Sequence, residues 1–192
     1  MNNLKKRGLL IIMSGPSGVG KGTIREELMK DESLRLFFSV SMTTRNPRPG
    51  EQDGREYYFV TREEFDRNIE NDNFLEWAEY CTNRYGTPRD KVEAMRDEGK
   101  NVLLEIDVKG TSTVLEKLDK DDVTTIFIAP PSVEELEKRI RGRSTETEEA
   151  IQKRLAQAKS ELEYQKLYKY VVINDDLAKA VDDVRKILID QM

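Results

Sequence analysis

The stretch GLLIIMSGPSGVGKGT, residues 8–23, decides the fold class of this chain. It opens with the short apolar run 8–13, which is typical of a strand buried on both faces of a parallel sheet. A glycine-rich turn follows, and the segment 23–30 after it has a helical pattern. A strand, a glycine-rich turn, a lysine and a helix in this order predict a loop that binds phosphate.

The chemistry of such a loop depends on its backbone and on Lys21. Glycines allow consecutive N–H groups to point at phosphate oxygens, the helix N-terminus adds a favourable dipole, and Lys21 adds a positive charge. The alternative is an ordinary glycine turn between a strand and a helix. Gly22 stands where the common motif has Ser or Thr as a magnesium ligand, and Thr23 follows one position later. We expect these residues to bind nucleotide phosphates: Gly15, Pro16, Ser17, Gly18, Val19, Gly20, Lys21, Gly22 and Thr23.

Four further apolar runs can pair with the first strand, at 37–40, 102–106, 124–129 and 170–173. Helical patterns fill most of the gaps between them. This alternation predicts an α/β fold, in which a parallel sheet carries the phosphate loop and is flanked by helices.

Capping residues predict where several helices begin. Thr61 and Ser132 each stand three residues before a glutamate, which is the pattern of a capping box. Thr87, followed by a proline, predicts another helix that reaches Glu98. A further helix is expected to begin near Thr145 or Thr147.

The region from about 42 to 88 has a different character. It contains the cationic turn RNPRPG, residues 45–50, and two segments that resemble strands, 57–60 and 74–80. We interpret this region as a small insertion on the larger α/β core. Trp77, in the second segment, is expected in the core or at a hinge rather than on a surface that stacks on a base.

Composition excludes several classes of protein. The 192 residues include one cysteine and no histidine, which excludes an internal disulfide, zinc chemistry and a Ser/His/Asp hydrolase. The net charge of -5 gives no general attraction to nucleic acid. No apolar stretch approaches the roughly 18 residues of a membrane helix, and residues 1–8 are too polar for a signal peptide. We therefore expect a soluble, cytoplasmic protein that binds neither nucleic acid nor membrane, and its oligomeric state is not readable from the sequence.

Several segments, taken together, resemble the guanylate kinase family. They are the phosphate loop, FSVSMTTR (38–45), PRPGE (47–51), GREYYF (54–59), FLEWA (74–78), YGT (85–87), LEID (104–107), FIAPPS (127–132), GRSTE (142–146) and INDD (173–176). The resemblance spans nearly the whole chain in the family's order. It implies direct in-line transfer of the γ-phosphoryl group of ATP to GMP, giving GDP and ADP, with Mg²⁺ as cofactor.

The resemblance also implies a domain organisation for residues 1–192. It implies a single domain whose core covers about 1–41, 89–138 and 156–192. A GMP-binding insertion then covers about 42–88, and a small lid covers about 139–155. GMP and ATP are the partners in this interpretation, as small-molecule substrates.

For GMP, the resemblance assigns one group of residues to the phosphate and another to the base. Guanidinium groups bind phosphate oxygens in pairs of hydrogen bonds, and tyrosine hydroxyls add donors. A carboxylate accepts hydrogen bonds from N1–H and N2–H of guanine but meets the N1 lone pair of adenine unfavourably. The phosphate residues are Arg45, Arg48, Tyr57 and Tyr85, and the base residues are Ser41, Glu76, Thr87 and Glu105, the last in place of the aspartate associated with the family.

These assignments have structural alternatives. The alternative for the two arginines is a solvated cationic turn, and for the two tyrosines a place in the core. Glu76 has the alternative of an exposed strand face. Glu105 has the alternative of a paired core acid, and its place inside the run 102–106 argues against a solvated position because buried charges need partners.

Phosphoryl transfer requires charge neutralisation more than covalent chemistry, so the resemblance assigns catalysis to cations. These are Lys21, Arg45, Arg139, Arg143 and Arg154, and the alternative for the last three is a set of surface charges on helices rich in glutamate. Asp107 ends an apolar strand and resembles the carboxylate near Mg²⁺, in direct contact or through water. Asn174 is assigned to ATP, near the adenine.

Two other functions compete with this interpretation. One is a nucleoside monophosphate kinase with a different base specificity. The other is a non-catalytic guanylate-kinase-like module that binds protein partners. Such modules typically have an eroded phosphate loop, whereas Lys21 and the loop glycines are all present in this chain.

Overall fold

The computed structural model describes residues 6–142 and 147–192. The strands in these ranges are β1 (Leu10–Ser14), β2 (Leu36–Phe38), β3 (Met42–Thr43), β4 (Tyr58–Phe59), β5 (Phe74–Tyr80), β6 (Asn83–Pro88), β7 (Asn101–Glu105), β8 (Val123–Ala129) and β9 (Tyr170–Ile173). The α-helices are α1 (Lys21–Leu28), α2 (Arg62–Glu70), α3 (Arg89–Asp97), α4 (Val108–Lys117), α5 (Val133–Gly142), α6 (Glu148–Leu162) and α7 (Leu177–Gln191).

The larger sheet is parallel and has the strand order β2-β7-β1-β8-β9. β1 lies at its centre, where Leu10 is beside Val102 of β7 on one side and Val123 of β8 on the other. The predicted α/β fold, with a parallel sheet flanked by helices, is confirmed. β2 ends at Phe38, earlier than predicted, and the N–H of Ser39 still donates to β7.

The core of the protein lies on both faces of this sheet. Side chains of β1 alternate, so that Ile11 and Met13 pack with α1, α5, α6 and α7, whereas Leu10 and Ile12 pack with α3 and α4. All four side chains are at most 1% exposed. Burial on both faces explains why this strand is an uninterrupted apolar run in the sequence.

The smaller sheet has the order β4-β3-β6-β5 and is built wholly from residues 42–88. Its own apolar cluster contains Met42, Phe65 and Phe74, and the last two rings stack at 4.4 Å. Leu75 of β5 instead packs into the core of the larger sheet, in the cluster that includes Val114 of α4. The smaller sheet is therefore a second layer attached through β5. The limits of a GMP-binding insertion and of a lid stay predictions.

Three helices begin where the capping residues predicted. Thr61, Ser132 and Thr147 each accept a hydrogen bond on the side-chain oxygen from the N–H three residues later, at 3.1, 3.1 and 3.4 Å. Thr145, the other candidate for the last of these caps, lies outside the described residues.

The cap predicted at Thr87 is wrong, and so is the core alternative for Trp77, whose place at a hinge stays a prediction. Thr87 does not cap a helix, because it lies in β6 and its hydroxyl donates to Glu76 on the paired strand β5. Strand pairing has overridden the local Thr-Pro signal, and α3 begins only after Pro88. Trp77 is not a core residue: it is 40% exposed, and the guanidinium of Arg84 lies 5.6 Å from the centre of its ring.

The longest helices in the described residues, α6 and α7, have 15 residues each. No helix in residues 6–142 and 147–192 combines the length and the apolar character that crossing a bilayer requires.

Candidate active site

The candidate site lies at the carboxyl ends of the central strands of the larger sheet. In open α/β sheets, ligands bind in the crevice outside these ends, where the strand order reverses direction. β1 ends in the phosphate loop, and the neighbouring β7 ends in Glu105, with Asp107 two residues later. The loop and these two acids therefore meet at one edge of the sheet.

The phosphate loop is held in shape by its own backbone and by Asn174. Residues 15–23 form the loop and the start of α1, which begins at Lys21. Gly20 precedes this helix with a φ of 101°, a left-handed conformation that favours glycine. A Cβ at Gly20 would lie 2.5 Å from Nδ2 of Asn174, and the same Nδ2 donates to the carbonyl of Val19 at 2.8 Å. Asn174 therefore packs against the loop and fixes its backbone.

Lys21 folds back over the loop. Its Nζ donates to the carbonyl oxygens of Gly15 at 2.6 Å and Pro16 at 3.1 Å. Burial lowers the pKa of Lys21, whereas the charges of Glu105, Glu161 and Asp107 oppose that shift. The ammonium group is thus a half-buried cation that faces acids at the ends of neighbouring elements.

Two of the predicted arginines lie at the loop. Nη2 of Arg154 donates to the hydroxyl of Ser17 at 3.0 Å, so α6 contacts the phosphate loop directly. Arg139 of α5 donates from Nε to Glu135 at 3.1 Å and from Nη1 to the carbonyl of Asn174 at 2.8 Å. Arg143 lies outside the described residues.

A cavity of about 290 Å³ opens on the α5 side of the loop. Its walls include Gly18, Gly20 and Thr23 from the loop and α1, together with Arg139 and Asn174. Its lining combines apolar surface, to which Val19 and Leu177 contribute, with polar side chains, which suits a ligand that has apolar faces and hydrogen-bonding edges.

A second cavity, of about 370 Å³, lies between the smaller sheet and the end of β7. Six of the residues predicted from the resemblance line it: Ser41, Tyr57, Glu76, Tyr85, Glu105 and Asp107. We call it the acceptor cavity. Residues that are more than 60 positions apart in the sequence thus share one wall.

Glu76 and Asp107 face each other in the acceptor cavity. A Cβ at Gly110 would lie 3.2 Å from Oε2 of Glu76 and 3.4 Å from Oδ1 of Asp107, so both carboxylates converge on this position. The Thr87 hydroxyl donates to Oε1 of Glu76 at 2.5 Å, and the N–H of Gly110 donates to Oδ1 of Asp107 at 2.7 Å. Burial raises the pKa of Glu76, and the charge of Asp107 raises it further, against the effect of the Thr87 hydrogen bond.

Glu105 has a partner that the sequence did not reveal. Oε2 of Glu105 accepts from Nη1 of Arg25 at 2.8 Å, and the guanidinium lies 4.4 Å from the centre of the Phe38 ring. Arg25 stands four residues after Lys21 in α1, which places both cations on one face of the helix. That spacing was the available signal for Arg25. Glu105 is thus a paired acid at the junction between the phosphate loop and the acceptor cavity.

Arg45 is held at the rim of the smaller sheet by a carboxylate. Its two terminal nitrogens donate to the two oxygens of Glu51, at 3.0 and 2.8 Å. The rings of Tyr57 and Phe59 flank the guanidinium at 5.4 and 5.7 Å. The Arg48 side chain is exposed, and its backbone N–H donates to Glu51 at 2.7 Å. Glu51 was also missed in the sequence, where only the cationic turn was evident.

The acids of the site are its possible metal ligands. Within residues 6–142 and 147–192, no group of three or more acidic, cysteine or histidine side chains is arranged to hold a metal ion. The carboxylate oxygens of Glu105 and Asp107, whose charges act on Lys21, are of the type that Mg²⁺ prefers. These donors therefore fit a Mg²⁺ ion that is held largely by nucleotide oxygens and water. Gly22 agrees with this, because it has no hydroxyl at the position where the common motif has a Ser or Thr ligand.

Comparisons with known proteins agree with this geometry. Residues 7–191 match the family model described as guanylate kinase. The chain is 52% identical over 188 residues to a guanylate kinase from Caldanaerobacter subterraneus subsp. tengcongensis, covering 97% of this chain and 89% of the relative. It is 50% identical over 185 residues to one from Desulfitobacterium hafniense, covering 96% and 91%.

A solved structure extends the similarity to three dimensions. The crystal structure of guanylate kinase from Anaplasma phagocytophilum superposes with a TM-score of 0.73 at 37% identity and covers 98% of this chain and 89% of that protein. With a matched family model, close relatives over nearly the full length and a shared fold, the chain belongs to the guanylate kinase family.

Proposed function

We propose that this chain transfers the γ-phosphoryl group of ATP to GMP, giving GDP and ADP. The observation that carries the proposal is the acid wall of the acceptor cavity, because two of its acids, Glu105 and Asp107, also act by their charge on Lys21 of the phosphate loop. Donor and acceptor nucleotides can then meet at the end of β1. The function of the family and the high identity to curated relatives favour this reaction over a non-catalytic module.

We assign ATP to the phosphate loop and the cavity on its α5 side. Backbone N–H groups of the loop and the N-terminus of α1 bind the phosphates. The cavity lined by Thr23, Arg139 and Asn174 receives the adenosine. When ATP binds, Nζ of Lys21 exchanges the carbonyl oxygens of Gly15 and Pro16 for phosphate oxygens. This exchange is possible because both carbonyls lie in the loop that binds the phosphates.

We assign the guanine base to the acid wall of the acceptor cavity. Two neighbouring carboxylates need donors between them, and guanine presents N1–H and N2–H₂ on one edge. Glu76 is the central acid, because the Thr87 hydroxyl donates to its carboxylate and fixes it. The assignment of the Thr87 hydroxyl to O6 stays a prediction. Asp107 converges on the same position as Glu76, which supports a second role for it beside the base. The assignments of Glu105 to guanine and of Asp107 to Mg²⁺ stay predictions, which separate variants can test.

We assign the phosphate of GMP to the opposite, cationic rim. Tyr57 and Tyr85 line the acceptor cavity with their rings 5.9 Å apart, and Arg45 lies against Tyr57. Arg48 projects from the adjoining turn. The acidic and cationic walls orient GMP with its base toward β7 and its phosphate toward the 45–51 turn.

The transfer step then depends on neutralising charge along the line from ATP to GMP. Lys21, Arg45, Arg139, Arg143 and Arg154 are the cations we assign to this work. Arg154 already contacts the phosphate loop through Ser17. When bound with ATP, Mg²⁺ supplies further positive charge to the phosphates. The protein positions the two nucleotides so that the attacking and leaving oxygens lie in line.

The proposed function is tested by ADP release from ATP with GMP, AMP, CMP or UMP as acceptor. We expect kcat/KM for GMP to exceed that for AMP by at least about a hundredfold, because the acids oppose the adenine edge. ADP release without acceptor is the control for background hydrolysis. Preference for another base would show a different kinase, and no turnover with any acceptor would favour the non-catalytic module.

A further inference from the structure

The Glu51 side chain accepts three hydrogen bonds within the 45–51 turn, and the proposed function does not use it. Its Oε1 accepts from Nη2 of Arg45 at 2.8 Å, and its Oε2 accepts from Nη1 of Arg45 at 3.0 Å and from the Arg48 N–H at 2.7 Å. The Arg45 and Glu51 side chains are only 14% and 18% exposed. This pair is therefore packed into the rim of the smaller sheet and is not a solvated surface contact.

Arg45 uses three of its N–H groups within the 45–51 turn. A guanidinium has five N–H groups. One N–H of Nη1 meets Glu51 and the other meets the carbonyl of Asn46 at 2.8 Å, while one N–H of Nη2 meets Glu51. Nε–H and the outer N–H of Nη2 remain, and the guanidinium also has a hydrogen bond with the side chain of Tyr85, which lines the acceptor cavity. Arginine N–H groups and tyrosine hydroxyls are both donors that bind phosphate oxygens.

The backbone around Glu51 is equally well defined. Arg48 to Glu51 form a turn in which the Glu51 N–H donates to the Arg48 carbonyl at 3.0 Å. Pro49 and Gly50 occupy its centre, and Gly50 has a φ of 88°, as the third residue of a type II turn requires. The Glu51 carboxylate thus ties the ends of this turn to Arg45.

We propose that Glu51 is a positioning residue for the phosphate of the acceptor nucleotide. It holds Arg45 at the rim of the smaller sheet beside Tyr85, and it fixes the turn that carries Arg48. The pair is formed before a ligand arrives, so less side-chain freedom is lost when phosphate binds. This inference rests on the proposed function, because it assumes that Arg45 binds the GMP phosphate.

Glu56 offers a matched control within the same loop. Its Oε1 accepts from Nε of Arg55 at 2.6 Å and its Oε2 from the Gln52 N–H at 2.7 Å, so it has one arginine and one backbone donor, as Glu51 does. Arg55, however, is exposed and has no part in the proposed site. Glu56→Gln therefore removes a similar loop interaction without disturbing Arg45.

The experiment compares Glu51→Gln, Glu56→Gln and the wild type in binding and turnover. Calorimetry measures GMP and guanosine separately, because guanosine has the base and lacks the phosphate. For Glu51→Gln we expect affinity for GMP to fall about tenfold, affinity for guanosine and KM for ATP to stay unchanged, and KM for GMP to rise more than kcat falls. Glu56→Gln should match the wild type in all of these quantities.

A double-mutant cycle tests whether Glu51 affects GMP affinity through Arg45. In an Arg45→Ala background, Glu51→Gln should have little further effect on GMP affinity, since the group it positions is gone. Equal weakening of GMP and guanosine by Glu51→Gln would overturn the proposal and show a structural role. Unchanged GMP affinity, or full additivity with Arg45→Ala, would also overturn it.

A measurement on the wild type keeps the proposal testable if Glu51→Gln does not fold. In ¹⁵N spectra, the Arg45 Nε–H signal, assigned with Arg45→Lys, should be sharp in the free protein and shift with GMP but not with guanosine. A free, averaged Arg45 signal would contradict the inference. Failure of the wild type to bind GMP at all would instead refute the proposed function, so the two failures are distinguishable.

Discussion

The phosphate loop and the acceptor cavity hold their ligand-binding groups in different ways. In the loop, the backbone itself is the binding surface, and Gly20 has a left-handed conformation that a side chain would strain. In the acceptor cavity, side chains are the binding surface and are held by other side chains, as Arg45 is by Glu51 and Glu76 is by Thr87. One site is thus built by chain geometry and the other by paired polar groups.

This difference predicts how each region responds to substitution. A site formed by the backbone depends on a few positions, such as Gly20, that tolerate almost no substitution. A side-chain site distributes its energy over several pairs, so single changes reduce affinity or selectivity by degrees. The expected effects below decrease from the loop to the outer parts of the acceptor cavity.

The largest effect is expected for Lys21→Met. The change removes the cation that we assign to the transferring phosphates, so kcat should fall about 100- to 1,000-fold. Because burial lowers the pKa of Lys21, the neutral side chain should leave the unfolding temperature unchanged or higher. The exposed Lys30, just beyond the same helix, is the control as Lys30→Met. A folded Lys21→Met protein with a normal kcat would remove the contrast between the two regions.

Glu76→Gln is expected to reduce kcat/KM for GMP about tenfold to a hundredfold while stabilising the fold. The loss follows from replacing a charged acceptor for guanine, and the amide oxygen can still accept from Thr87. Glu79→Gln, on the exposed end of the same strand, is the control. Lower stability together with unchanged selectivity would make Glu76 a structural acid.

The pH dependence of Glu76 has a defined sign. Its pKa is raised in the folded protein, so folding stability falls as pH rises through the interval between the unfolded and folded pKa values. The gain in unfolding temperature for Glu76→Gln should therefore be present at neutral pH and vanish in acid. Affinity for GMP should decrease on the acid side at a higher pH than an ordinary glutamate would give.

Asp107→Asn and Glu105→Gln compare two acids in one cavity. Asp107 converges with Glu76, whereas Glu105 is paired with Arg25, so we expect Asp107→Asn to lower the ratio of kcat/KM for GMP over AMP more strongly. A loss of roughly tenfold is expected for Asp107→Asn. A larger loss for Glu105→Gln would instead support the assignment of Glu105 to guanine.

The smallest effect is expected for Arg25→Met. The pair with Glu105 is partly exposed, at 25% and 21%, so the change in unfolding free energy should be below about 1 kcal/mol. Met retains the apolar stem against Phe38. A change in kcat/KM for GMP of only a few fold is expected, and a change as large as that of Lys21→Met would show that Arg25 belongs with the loop.

The same difference explains what the sequence could and could not predict. The loop was predictable from residues 8–23 because its strand, glycines and lysine are adjacent in the chain. Strands β1, β7 and β8 were predictable because burial on both faces leaves uninterrupted apolar runs. The edge strand β9 is also an apolar run, although its Val171 and Ile173 side chains are exposed. The residues of the acceptor cavity came only from the family resemblance, since they lie on different strands and have no common spacing.

Two groups that hold residues of the candidate site were not predicted. Arg25 and Glu51 act through other side chains, and pairing across the fold leaves no local pattern beyond the spacing of Arg25 from Lys21. Thr87 was misread for a related reason. Its local sequence resembles a helix cap, but its partner Glu76 comes from the neighbouring strand, and tertiary pairing decided the outcome.

The central position of β1 has a consequence for synthesis on the ribosome. This strand is made before the other strands of its sheet, yet its two partners are Asn101–Glu105 and Val123–Ala129. The loop after it is fixed by Asn174, 155 positions beyond Val19. A nascent chain that ends before residue 101 leaves β1 as an unpaired apolar segment, the kind of surface that chaperones protect. Competence to bind nucleotide should therefore arise only after most of the chain has emerged.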